Sequence, residues 1–341
     1  MSDGMAGRRV AIVGGAGFIG HNLALALRQR EADVHVIDSL QINNLGAFSA
    51  KVPELYDREL YLRIIHERLD LLYAAGVQLH VQDARDYLAL GHLIDGIRPQ
   101  VLIHLAAVAH AGRANKDPYS TFDHSLRTLE NALDCSRGLV EQLIFLSSSM
   151  AYGNFETSEV SEDHPLNPIG IYGALKVAGE KMVIAYGQVF DLPYTIIRPS
   201  ALYGPRCVSR RVGQIFIESA LNGSRLRIDG DGTERLDFTY IEDLIGGIML
   251  AMEKPEARSE VFNMTYGQSR SIQELVDVVK AQFPDVQVES VERDRLMPFR
   301  GTLSIDKARR LLGFSPQYPI ERGFPLYIDW YRSLTPSSSR T

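Results

Sequence analysis

The hydrophobic positions in the first half of the chain fall into short apolar runs separated by longer amphipathic stretches. Arg9 to Val13 reads as a strand, Phe18 to Arg30 as a helix and Val34 to Ile37 as a second strand. Val77 to Val81, Val101 to Leu105, Leu143 to Leu146 and Tyr194 to Ile197 continue the strand series. Strands that are apolar on both faces, with helices between them, predict a parallel sheet covered on two sides. Between the second and third strands, Pro53 to Ala75 carries Leu60, Ile64, Ile65, Leu69, Leu72 and Tyr73 at helical spacing. That predicts an added helix, packed on the edge of the fold or serving as a lid or partner surface. From about Arg206 the pattern turns irregular and basic, and helices at Ser271 to Gln282 and Ile320 to Ser333 suggest a second, smaller lobe. Thr335 to Thr341 reads as a polar tail without order.

Composition narrows the class without naming a function. The 341 residues are 45% hydrophobic and 23% charged with a net charge of −6, which describes an ordinary globular chain. Nothing in this charge balance suggests nucleic acid or an anionic membrane as the main partner, and an anionic substrate would need a local cluster of Arg or Lys. No apolar run approaches the ~20 residues of a membrane helix. The start of the chain is too quickly interrupted by Gly14 for a signal peptide, so the expected location is the cytoplasm. Cys135 and Cys207 lack CxxC spacing, so neither a disulfide framework nor a metal site is expected.

Gly14-Gly15-Ala16-Gly17-Phe18-Ile19-Gly20 follows the first strand directly and opens the first helix. Glycines at this spacing allow a tight turn and a backbone close to a pyrophosphate, held at the helix N-terminus. Asp38 ends the second strand, where a carboxylate accepts from both ribose hydroxyls and repels a 2′-phosphate, favouring NAD over NADP. Asp83, after the third strand, suits an adenine edge or a helix N-cap. Tyr172 and Lys176 stand four residues apart on a predicted helix, hence on one face. A phenol is a poor base at its usual pKa of about 10, but a nearby ammonium and a positive nicotinamide ring favour the phenolate. Ser147, Ser148 and Ser149 end the fifth strand and offer a hydroxyl to the substrate oxygen.

Together these motifs resemble the extended short-chain dehydrogenase/reductases, in the sugar-nucleotide epimerase/dehydratase group, over Val10 to about Tyr331. The same resemblance runs through His104 to Ala107, Ser147 to Gly153, Ile171 to Lys176, Arg198 to Pro205, Leu236 to Asp243 and Leu312 to Pro316. It implies a Rossmann-type, doubly wound parallel α/β sheet with a smaller α/β C-terminal substrate lobe. The expected division is residues 1–205 for NAD, with a helical insertion at about 45–75, and 206–334 mainly for substrate. Some segments of that second part return to the first, and 335–341 form the tail. By resemblance Gly14, Gly17, Phe18, Ile19, Asp38, Asp83, Ala84, Leu105, Ala106, Ala107, Tyr172 and Lys176 line the NAD site. Ser148, Tyr172 and Lys176 are the catalytic set, with Tyr172 as base. Ser149, Met150, His110, Ala201, Arg206, Arg235, Arg295 and Arg300 are expected at the substrate. Leu226 to Arg235 and Arg295 to Arg300 form the walls around the nucleotide diphosphate.

Departures from the family pattern choose among its reactions. Dehydratases of the group carry an Asp–Glu pair where this chain has Ser149 and Met150. A thioether does no acid–base work, and Met150 equally replaces the glutamate of decarboxylating relatives and the cysteine of a 3,5-epimerase. Epimerisation at C4 needs no second acid–base pair. The expected activity is therefore an NAD-dependent nucleotide-sugar epimerase, acting at C4 on a UDP-sugar through a transient keto-sugar. The alternatives are a nucleotide-sugar dehydrogenase or ketoreductase, or a dehydratase or decarboxylase using other groups. Ala201 and His124 stand where relatives have Asn, and Arg235 sits one place early, with Leu236 in its slot. Arg206, Arg210 and Arg211 suit a phosphate, a sugar carboxylate or solvated surface charge. The resemblance also implies a homodimer through the helix after Pro118 and the helix bearing Tyr172.

Overall fold

The computed structural model describes residues 4–49, 57–108 and 111–334. Among them, one sheet contains β1 (Arg9–Val13), β2 (Asp33–Asp38), β3 (Gln78–Val81), β4 (Val101–His104), β5 (Gln142–Leu146), β6 (Tyr194–Arg198) and β7 (Glu260–Asn263). Its spatial order is β7-β6-β5-β4-β1-β2-β3, and every pairing is parallel. The chain runs outward from β1 to β3, then returns to build the other half from β4. That reversal opens a crevice at the carboxyl ends of β1 and β4, where ligands bind in such sheets.

The longer helices are α1 (Phe18–Gln29), α2 (Arg58–Ala74), α3 (Tyr87–Ile97), α4 (Thr128–Ser136), α5 (Gly170–Phe190), α6 (Val212–Leu221), α7 (Ile241–Glu253), α8 (Ile272–Gln282) and α9 (Ile320–Leu334). Alternation along β1 assigns the two faces. Val10 and Ile12 pack in one layer with α1 and α7, whereas Ala11 and Val13 pack in the other with α3, α4 and Val183 of α5. The first layer continues without a break into α8 and α9, so both lobes share it. Short strand pairs support the second lobe, among them Leu226–Asp229 with Val288–Val291 and Leu202–Tyr203 with Thr239–Tyr240. Capping is local and legible here: Ser271 and Glu274 form a reciprocal capping box at the start of α8.

The inserted region differs from the single predicted helix. It contains a short helix, Leu45–Ser49, and α2, where the Asp57 side chain caps the Leu60 N–H; residues 50–56 lie outside the described part. The buried face of α2 is Tyr61, Ile64, Ile65, Arg68 and Leu72, while Tyr73 is 86% exposed. The apolar stripe therefore runs through Tyr61 and encloses an arginine. It meets Phe48, Val208 and Trp330, joining the insertion to the second lobe. The tail 335–341 also lies outside the described residues.

Candidate functional site

The glycine turn leaves β1 at Gly14, whose φ of +80° belongs to the left-handed region. A Cβ there would lie 2.6 Å from the Ala106 nitrogen, so no side chain fits between the turn and the end of β4. The N-terminus of α1 has no side-chain cap and no acidic residue in its first turn. Its free N–H groups face a cavity of about 120 Å³, which is chemistry suited to a pyrophosphate. Gly14, Gly17, Phe18, Ile19, Asp38, Asp83, Ala84, Leu105, Ala106 and Ala107 all line that cavity. These residues fit a dinucleotide.

Asp38 is anchored by two backbone donors, Leu40 N at 2.8 Å and Ala16 N at 3.0 Å. Burial pushes its pKa up, against those two hydrogen bonds and the Arg68 charge. Asp83 is held by Arg85, with Oδ2 2.6 Å from Nη2, and this hydrogen bond keeps its carboxyl below the usual range. Asp86 rather than Asp83 caps the following helix. His124 lies in a turn of π-helix, Asp123–Arg127, and faces the same cavity. Single π turns inside a helix often mark functional positions. The His124 ring contacts Ser120 O at 2.8 Å.

A second cavity of about 520 Å³ adjoins the first, and Ile19, Leu105, Ala107 and Arg211 line both. Ser148, Tyr172 and Lys176 converge on it. Ser148 follows β5, and its Oγ accepts from Met150 N at 3.2 Å. Gly173 lets α5 pack directly on this turn, because a Cβ there would sit 2.6 Å from the Met150 carbonyl. Lys176 is buried and donates to the Leu146 carbonyl at 2.5 Å, its Nζ 5.9 Å from the centre of the Tyr172 ring. Burial lowers the Lys176 pKa to about 8, with Glu180 opposing the shift.

Tyr172 departs from the electrostatic expectation. Burial pushes its pKa up, and the groups that pull it back are the Arg211 guanidinium and a hydrogen bond from Ser148. Lys176 is turned toward Leu146 and Glu180 instead. The sequence motif supplies the phenol, but the positive charge that opposes its burial comes from Arg211, on a loop with no fixed spacing to it.

The expected substrate residues divide. Ser149, Met150, Ala201 and Arg300 line the larger cavity. Arg206 does not, because its guanidinium is taken up by His21, Glu67 and Asn22. Arg235 turns to Ser269 and Glu274, and Arg295 is exposed outside the cavity; His110 lies outside the described residues. Arg211 and Arg227 also line the cavity; the basic patch around Arg210 pointed to the first, and the expected wall from Leu226 to Arg235 contains the second. Arg300 and Arg293 share one carboxylate, Glu234, at 3.7 and 3.8 Å. Burial lowers the Arg300 pKa, with Arg211 and Arg293 adding to the shift. This cavity therefore has more buried positive charge at one wall than Glu234 balances, which favours an anionic ligand.

His104 ends β4 beside Lys176. Burial and that ammonium lower its pKa from 6.5 to about 3, so the folded ring is neutral. Between those values the unfolded chain binds a proton that the folded chain refuses, so stability falls as pH drops through the window. Melting curves from pH 7 to pH 4 are expected to show this decline, with a shallower slope in His104→Asn. An unchanged slope would contradict the assignment.

Among the described residues no helix is long and apolar enough to cross a membrane. Known proteins share this architecture. UDP-glucose 4-epimerase of Mycolicibacterium smegmatis is 27% identical, covering 95% of this chain and 99% of its own. The structure of UDP-glucose 4-epimerase from Thermotoga maritima with UDP-glucose aligns with a TM-score of 0.82 at 26% identity, over 95% of this chain and 99% of that one. That of UDP-glucuronic acid 4-epimerase from Bacillus cereus, with UDP-glucuronic acid and NAD, gives 0.84 at 25%, over 96% and 100%. Residues 10–265 match the NAD dependent epimerase/dehydratase family, and the chain belongs to it.

Proposed function

We propose that this chain is an NAD-dependent C4 epimerase of UDP-sugars, with Ser148, Tyr172 and Lys176 as its catalytic set. The observation that carries the reading is the meeting of those three side chains in a cavity contiguous with the glycine-turn cavity. NAD⁺ held at the glycine turn would supply a reversible hydride acceptor for the sugar carbon. Tyr172 removes the hydroxyl proton from that carbon and restores it on the return. The Ser148 hydroxyl steadies the same oxygen, and the Lys176 ammonium, 5.9 Å from the Tyr172 ring centre, adds positive charge to the site. Asp38 would receive the adenosine ribose, and Arg211 and Arg300 face the anionic part of the nucleotide. Ser149 and Met150 supply no second proton-transfer group, which favours epimerisation over dehydration. The names of the relatives support C4 as the carbon and UDP as the carrier.

The reading extends to a cytoplasmic homodimer. Leu129 and Leu133 of α4 are buried against the subunit's own sheet, so Met182, Ile184 and Val177 of α5 are the residues left partly exposed for a partner. The test incubates the protein with UDP-glucose, UDP-glucuronate and UDP-N-acetylglucosamine in deuterated water. NMR is expected to find a C4 epimer without deuterium at C4 and without accumulation of NADH. Loss of water or carbon dioxide, or NADH in step with product, would overturn it.

A further inference from the structure

The inserted helix reaches the cofactor cavity through Arg68, which is 1% exposed and part of the cavity wall. Arg68 Nε donates to the Arg206 carbonyl at 2.9 Å, Nη2 donates to the same oxygen, and Nη1 reaches the Asn43 carbonyl at 3.4 Å. Arg206 in turn commits all three guanidinium nitrogens to the protein. Nε donates to His21 Nε2 at 2.9 Å, Nη1 to Glu67 at 3.3 Å and Nη2 to Asn22 Oδ1 at 3.1 Å.

Arginine only donates, so His21 Nε2 is the acceptor and the ring proton sits on Nδ1. That proton is given to the Gly17 carbonyl at 2.8 Å, inside the glycine turn. Burial, with Arg68 and Arg206 beside it, holds His21 well below the usual histidine range, and the ring is neutral. The backbone is constrained as well. Arg206 has φ +65° and Arg210 has φ +53°, a conformation that non-glycine residues hold only when their surroundings impose it.

Past this anchor the chain runs over the junction of the two cavities. Ser209 and Arg211 line the cofactor cavity, and Arg210, Arg211 and Val212 line the substrate cavity. The root of the loop is tied to the glycine turn on one side and to the inserted helix on the other.

We propose that Arg206 is a positioning residue which, with Glu67 and Arg68 of the inserted helix, locks the 206–211 loop across the dinucleotide and sets how slowly NAD leaves. This rests on reading the cavity at the glycine turn as the NAD site. The inserted helix is then a latch for the cofactor rather than edge packing.

The test measures NAD dissociation from the full chain, by dilution into excess competing nucleotide and by the NAD retained after gel filtration. Arg206→Gly removes the side-chain links while accommodating the left-handed backbone, and Arg68→Met releases the Arg206 carbonyl. Each is expected to release NAD about tenfold faster or more, the effect of losing one or more hydrogen bonds to a charged group. The double variant is expected to be no faster than the faster single, because both act on one lock. Melting of Arg206→Gly at saturating NAD is expected to stay close to the parent, which separates faster release from general unfolding. A parent that keeps its NAD beside variants that keep it equally long overturns the latch alone. Fully additive effects in the double variant also overturn it. A parent that binds no NAD overturns the cofactor reading, and the latch with it.

Discussion

Tyr172→Phe lowers turnover by about 10²- to 10⁴-fold, the range general acid–base catalysis contributes, while NAD stays bound. The substitution deletes one oxygen and leaves the ring, α5 and the Gly173 contact in place. Burial raises the Tyr172 pKa, and Arg211 and Ser148 oppose it. The base is active when deprotonated, and the positive nicotinamide ring of bound NAD⁺ would favour the phenolate. The rate of the parent therefore rises with pH through the Tyr172 titration, on the acid side of the Lys176 one. That rising limb disappears in the phenylalanine variant. Steady-state rates across pH, with retained NAD quantified after denaturation, check both parts. Turnover within threefold or so of the parent would remove Tyr172 from the chemistry.

Glu180→Ala has the largest expected effect on stability. Glu180 receives Arg198 in a fork, 2.9 Å from Nε and 2.6 Å from Nη2, with the side chains 1% and 5% exposed. Ser147 donates to the same carboxylate. Arg198 continues to the Tyr152 hydroxyl at 2.9 Å, which donates to Asn263 Oδ1 at 2.8 Å. Removing one partner leaves a guanidinium charge stranded beneath the site, which costs about 3–5 kcal/mol. Urea unfolding is the measurement, and a loss below about 1 kcal/mol would contradict the account. Kinetics carry a second signature. Glu180 raises the Lys176 pKa, so its loss moves the ammonium's titration below the present value of about 8. The alkaline limb of activity then shifts to lower pH.

Much of this was readable from local pattern. The glycine turn, Asp38 and the Tyr172–Lys176 pair are encoded by spacing along single elements, and periodicities of 2 and 3.6 recovered six of the sheet strands. β7 escaped because only two of its residues, Phe262 and Asn263, are fully buried, and its run is short. Its place beside β6 is a tertiary choice. Helical spacing places Tyr73 on the apolar stripe of α2, whereas the stripe runs through Tyr61 and encloses Arg68, a buried charge that reads as a break in the pattern. Sequence displays the Arg206 charge and hides its partners, so the resemblance places it at the substrate. The partners, His21, Asn22 and Glu67, are more than a hundred residues away. The counter-charge for Tyr172 was hidden for the same reason.

The late arrival of β7 has a consequence for biogenesis. Residues 260–263 complete the nucleotide-binding sheet, with Phe262 paired to Ile197 and Asn263 to Arg198. A nascent chain ending at Pro205 would leave β6 as an open, apolar edge, a surface prone to illicit strand pairing. Folding on the ribosome must therefore wait until the intervening segments have emerged, and amputating the downstream half should yield an aggregating fragment rather than a free-standing nucleotide-binding module.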